Sequence, residues 1–208
     1  VLRKAYQTLQ AQAKQLQKRN LDIIEMVGTI VEFRSLESGE HIQRVKGYTQ
    51  ILAKAFAKLY PEYGLTKEQI DVIVAASALH DIGKVSLGNE ILEKPGRLTD
   101  EEFTIMKHHA AYTYYILSEI DDFKELRDWA AFHHERLDGT GYPFGRSADE
   151  LNVPERMMAC VDIYQALTES RPYKQGMSHE KTCGILQDMA DKGWLDPDIV
   201  TQVDLCFQ

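Results

Sequence analysis

From position 70 the chain reads Ile70-Asp71-Val72-Ile73-Val74-Ala75-Ala76-Ser77-Ala78-Leu79-His80-Asp81-Ile82-Gly83-Lys84. The apolar run 72–79 falls far short of the roughly 20 residues that cross a bilayer. With Thr66 standing just before Lys67 as an N-cap, the spacing predicts a helix over 67–79. That helix is followed at once by an imidazole and a carboxylate, His80 and Asp81.

Outward from this helix, helical periodicity predicts further helices over 40–59, 100–117, 123–133, 154–169 and 178–192. Thr99 with Glu102 makes a capping box, and Ser178 precedes His179 as a cap. No segment alternates as a strand would, and β-branched runs are scarce. Two Gly/Pro-rich interruptions, 83–96 and 138–145, read as ordered loops in an all-α fold. Residues 1–33 hold no Gly or Pro before Gly28, and Leu2, Leu9, Leu16, Ile23 and Ile30 recur at heptad spacing. The adjoining seam is imperfect: Tyr6 and Ala13 fit it, Arg19 and Asn20 do not. A long coiled-coil-like helix follows, which either pairs with a second copy or packs on its own domain. We divide the chain into a linker or dimerisation helix, 1–33, and a catalytic domain, 34–208. The start inside a helix reads as a fragment of a longer protein, with an upstream sensor or receiver domain driving this effector.

The 208 residues are 44% hydrophobic and 27% charged, ample for one large domain with a core. A net charge of −8 argues against gripping a nucleic-acid polymer, which depends on neutralising many phosphates. It leaves room for a small anion whose charge is met by metal ions. No signal peptide or membrane span stands out, and Cys160, Cys183 and Cys206 form no CxxC pair; reduced thiols in a cytoplasmic protein are expected.

Six of the seven histidines fall in clusters with acids, His179 being the exception. Glu37 and His41 are four apart, the spacing of one helix face. His80-Asp81, His108-His109 and His133-His134 follow, and Asp162 lies inside the apolar run Met157-Met158-Ala159-Cys160-Val161-Asp162-Ile163. Singly, a histidine on an apolar helix is more often a hydrogen-bonded core residue, and Glu37 a solvated one. Asp162 differs, because an unpaired carboxylate on an apolar helix costs several kcal/mol and calls for a partner such as a metal. Imidazoles and carboxylates together suit iron, manganese, zinc or cobalt, and a bridging carboxylate can hold two cations close together.

His80-Asp81-Ile82-Gly83-Lys84 resembles the HD signature of metal-dependent phosphohydrolases. His133-His134-Glu135-Arg136-Leu137-Asp138-Gly139-Thr140-Gly141-Tyr142-Pro143 resembles the extended GYP motif. Together they resemble the HD-GYP family of cyclic-di-GMP phosphodiesterases over about 32–194. A bare His-Asp pair is weak evidence; the long second motif, about fifty residues on, is specific.

The resemblance implies an HD-domain helical bundle, with metal ligands at His80, Asp81, His109, His133, His134 and Asp162. His109 is preferred to His108 because the family's ligand stands three residues after the methionine, here Met106. Glu37 and His41 match the pair that in some members helps to hold a third ion. Lys84 matches the lysine near the scissile phosphate, and Arg171-Pro172-Tyr173-Lys174 resembles a segment whose cations, Arg171 and Lys174, contact substrate. Asp81 is the natural bridging ligand. Tyr142 either stacks on a base or anchors its loop, and Arg136 with Asp138 could pair to fix it. Two departures stand out. Gln165 replaces the family's usual aspartate, which alters surroundings rather than removing a ligand, and Val85-Ser86-Leu87-Gly88 lacks the usual proline.

The activity implied is hydrolysis of cyclic di-GMP to pGpG, GMP or both, with two or three divalent ions, iron or else manganese. The alternatives are another cyclic dinucleotide, such as a mixed cyclic GMP-AMP, another nucleotide, or a non-catalytic ligand-sensing module. No membrane partner is expected for this fragment.

Overall fold

The computed structural model describes residues 2–34, 40–170 and 175–207. Nine α-helices occur among the described residues: α1 Leu2–Arg34, α2 Glu40–Leu59, α3 Lys67–Leu79, α4 Asn89–Leu92, α5 Asp100–Ser118, α6 Lys124–Ala131, α7 Val153–Thr168, α8 His179–Asp191 and α9 Pro197–Cys206. No strand occurs among those residues, only an isolated bridge between Asp138 and Ser147. The all-α expectation holds.

The helix starts follow from local chemistry. Thr66 with Gln69, Thr99 with Glu102, and Asn152 with Glu155 each form a reciprocal capping box, and Ser178 caps α8 through the Lys181 amide. The periodicity missed α9, whose start is set by the Asp196 carboxylate accepting from the amides of Asp198 and Ile199. It also carried α6 too far: the helix stops at Ala131, and His133 and His134 occupy the turn beyond it.

Helix α7 is the axis of the bundle. Met157 faces a core cluster with Val45, Leu52, Phe56, Leu186, Ile199 and Val203 from α2, α8 and α9. Met158 faces a second cluster with Ile73, Leu79, Leu117, Leu126 and Trp129 from α3, α5 and α6. Asp162, one turn further along, therefore points between the two halves of the bundle, where the C-terminal end of α3 also arrives. Helix α1 touches this body only with its last turns; Gly28, Val31 and Glu32 are its buried residues. The heptad row is exposed, from 54% at Ile23 to 88% at Leu2, so it does not pack on its own domain.

Candidate metal centre

One local device sets three histidines. In each, Nδ1–H donates to the backbone carbonyl three residues earlier: His80 to Ser77 at 2.8 Å, His109 to Met106 at 2.7 Å, and His133 to Ala130 at 2.6 Å. The proton is thereby fixed on Nδ1, and Nε2 is turned inward as a lone-pair donor. All three Nε2 atoms are buried with no hydrogen-bond partner in the protein. Three ring nitrogens facing one space without a hydrogen-bond partner is a costly arrangement unless a cation completes it. The donor set fits a divalent metal.

Asp81 stands between these rings. Its Oδ1 is 3.3 Å from His109 Nε2 and its Oδ2 is 3.3 Å from His80 Nε2. Asp162 Oδ1 approaches His80 Nε2 from the other side at 3.6 Å. Two trios of donor atoms, each within 4.8 Å, result: His109 with His133 and His134, and His41 with His80 and Asp81. The carboxylate of Asp81 reaches into both. Lys84 Nζ lies 2.7 Å from Asp81 Oδ2, one turn on.

The backbone under this pair is held by α5. Gly83 packs so tightly that a Cβ would lie 1.9 Å from the His109 carbonyl oxygen. The Thr113 hydroxyl donates to the His80 carbonyl and accepts from the Gly83 amide, both at 3.0 Å. His80, Asp81 and His109 thus sit on elements locked to one another.

Burial and charge sort the donors. Burial, with neighbouring imidazoles, holds His133 and His134 well below the ordinary histidine range, and burial also lowers His109. These rings are neutral, as ligands must be. Burial opposes charge on His80 too, but Asp81 and Asp162 outweigh it and hold that ring up at about 10. Asp81 is kept well below the usual carboxylate range against its burial, by Lys84 and His80, while burial raises Asp162.

His41, on the first turn of α2, is buried with Nε2 3.3 Å from Glu32 Oε1 and Nδ1 3.9 Å from Glu169 Oε2. Glu169 in turn pairs with Arg44. Neither Glu32 nor Glu169 was singled out in the sequence. Glu32 is one buried acid at the end of a mostly exposed helix, which no periodicity marks. Glu37, Arg171 and Lys174 lie outside the described residues.

Beyond His134 the loop returns across the site. Glu135 is buried, and its carboxylate accepts from the amides of Phe144, Gly145 and Arg146; this anchor sits inside the motif yet was not anticipated. Gly139 has φ 76°, a left-handed conformation that glycine adopts freely. Tyr142 donates its amide to the His134 carbonyl, and its ring lies 4.7 Å from the His134 ring. Arg136 does not spend its guanidinium on Asp138: it lies 3.9 Å over the Trp194 ring, and Asp138 instead accepts from Thr140. His108 is exposed. Gln165 is fully buried and neither of its amide atoms has a hydrogen-bond partner. Cys160 is buried, Cys183 and Cys206 partly so, and all three are free.

A cleft lined by His41, Asp81, Lys84, His109, His134, Tyr142 and Asp162 opens to solvent beside Phe103 and Met106. The arrangement can bind cations deep and an anion above them.

The HD domain family profile matches residues 39–199. The 3'3'-cGAMP-specific phosphodiesterase 3 of Vibrio cholerae is 37% identical over 166 residues, 80% of this chain and 35% of that protein. A cyclic di-GMP phosphodiesterase of the same organism is 35% identical over 191 residues, 88% and 38% of the two chains. One from Thermotoga maritima is 32% identical over 181 residues, 86% and 47% of the two. A solved HDG"Y"P protein from Bdellovibrio bacteriovorus superposes with TM-score 0.61 at 16% identity, over 79% of this chain and 50% of that one; this bears on fold alone. The chain thus spans 35%, 38% and 47% of the lengths of these three curated relatives.

Proposed function

The chain belongs to the HD domain family, and on that footing we propose that it is a metal-dependent phosphodiesterase that opens cyclic di-GMP to pGpG, GMP or both. The observation that carries this reading is Asp81, whose two oxygens face the imidazoles of two separate donor sets. Two divalent ions would be held by His80, Asp81, His109, His133, His134 and Asp162, and a third by His41 with Glu37. Iron suits an imidazole-rich set with carboxylates, manganese being the alternative. Such ions supply Lewis acidity toward phosphoryl oxygens and acidify bound water.

The chain's own groups do the rest. Lys84 is the cation beside Asp81, placed to meet charge as it grows on the phosphoryl oxygens. Arg171 and Lys174 would hold the phosphates of a dianionic ligand, and Tyr142 would lie along a base. We place this reaction in the cytoplasm as part of the same proposal. No helix among the described residues is long and apolar enough to cross a membrane. We further propose that the exposed heptad row of α1 pairs with a second copy and couples an upstream sensor domain to the site.

A second reading, 3'3'-cGAMP as substrate, is favoured by relatives of 37% and 34% identity whose names say they are specific for it. Chromatography of products from cyclic di-GMP and 3'3'-cGAMP, each offered to iron- or manganese-loaded protein, tests both. Linear product from cyclic di-GMP at the higher kcat/KM supports the first reading; a preference for 3'3'-cGAMP supports the second. Binding of either without turnover would overturn the enzyme reading.

A further inference from the structure

The seventh histidine, outside the centre described above, has its own company. His179 opens α8, Cys183 follows at i+4 on the same face, and Asp204 reaches in from α9. Their donor atoms all lie within 4.8 Å of one another. Nε2 of His179 is 3.2 Å from Asp204 Oδ1, and Cys183 Sγ is 3.6 Å from Nε2 and 3.7 Å from Nδ1. Around a tetrahedral zinc, bonds of about 2.3 Å to sulfur and about 2.05 Å to nitrogen or oxygen put sulfur about 3.6 Å from nitrogen and nitrogen about 3.3 Å from oxygen. The Sγ–Nε2 and Nε2–Oδ1 separations have those lengths.

The surroundings complete the case. Nδ1 of His179 is 2.9 Å from the Tyr164 hydroxyl, the kind of outer hydrogen bond that fixes a ligating imidazole and leaves Nε2 for the metal. His179 is 25% exposed and Asp204 51%, so an ion could enter from solvent and keep water as a fourth ligand. We propose that His179, Cys183 and Asp204 form a second, exchangeable metal site for a thiolate-preferring divalent cation, zinc above all, that clamps α8 to α9 and bears on α7 through Tyr164. Sulfur sets it apart from the histidine–carboxylate centre, which has no thiol. In the empty site, burial and the neighbouring Asp204 push the Cys183 thiol up to about 12. The incoming cation displaces that proton, and the sulfur–metal bond replaces the sulfur–hydrogen bond.

Cobalt(II) titration of chelator-stripped protein reads this site without relying on activity, because only a thiolate gives a sulfur-to-cobalt charge-transfer band. The expected result is that band in the wild-type chain, kept in Cys206→Ser and lost in Cys183→Ser and His179→Gln. Zinc content should fall by about one ion per chain in the same two variants, with circular dichroism unchanged. Cobalt binding without a thiolate band in the wild type would overturn the proposal and leave a hydrogen-bonded cluster only. So would a band that survives Cys183→Ser.

Discussion

Asp81 presents one oxygen to His109 and the other to His80, and Lys84 closes on the second oxygen. Replacing it removes a donor from both sets at once. Asp81→Ala should therefore lose most bound metal and reduce hydrolysis by more than the roughly 10–100-fold that follows loss of an outer hydrogen-bond partner; elemental analysis beside a turnover assay checks both. Lys84→Ala should keep its metal, lower kcat by on the order of 100-fold and move KM little, because its contact strengthens as charge develops. These residues were legible in the sequence because each stands in an adjacent pair or a dense motif. Glu32, Glu169 and Thr113 were not. Their roles depend on α1, α7 and α5 arriving beside His41 and His80, and single positions on helix faces carry no trace of that.

The elements hold the donors through caps and loop anchors. Glu135 binds three consecutive backbone amides of the loop that carries Tyr142. Glu135→Ala leaves those donors unmet and should cost about 1–3 kcal/mol in thermal or denaturant unfolding, a larger loss than any exposed substitution on that loop. At the start of α7, burial pushes the Glu155 carboxyl up to about 7 from an ordinary 4.5. The folded chain thus binds that proton more tightly than the unfolded one. Its contribution to stability is full below the unfolded value and is lost as pH rises through about 7. Glu155→Gln keeps a side chain that can accept from the Asn152 amide and removes this loss. Between about pH 5 and pH 8 the variant's stability should fall by about 1–3 kcal/mol less than that of the wild type; parallel denaturant curves at both ends measure it. Helix identity was largely readable because caps and apolar spacing agree. The end of α6 was not, since the apolar pattern of 123–133 runs on past Ala131 into residues that serve the metal centre.

At the scale of the molecule, α1 is about 50 Å long, and its residues 2–23 are exposed along their whole length. Its far end is tied to the site: Arg34 donates to the carbonyls of Val85 and Leu87, just beyond Lys84, and Glu32 meets His41. A rotation of paired helices would reach the donors through these contacts. The full chain should sediment as a dimer at micromolar concentration and a chain starting near Asp22 as a monomer; two monomers would defeat the pairing. The heptad row was visible in the sequence, but what it faces was not, because an exposed seam and a buried one share the same spacing. Anomalous scattering at the iron, manganese and zinc edges, from crystals grown without chelator, would locate the ions of this centre. Two or three peaks are expected within bonding distance of the Nε2 atoms of His80, His109 and His133, with Asp81 between two of them. No peak there, or a single ion that leaves one Asp81 oxygen unbound, would contradict that expectation.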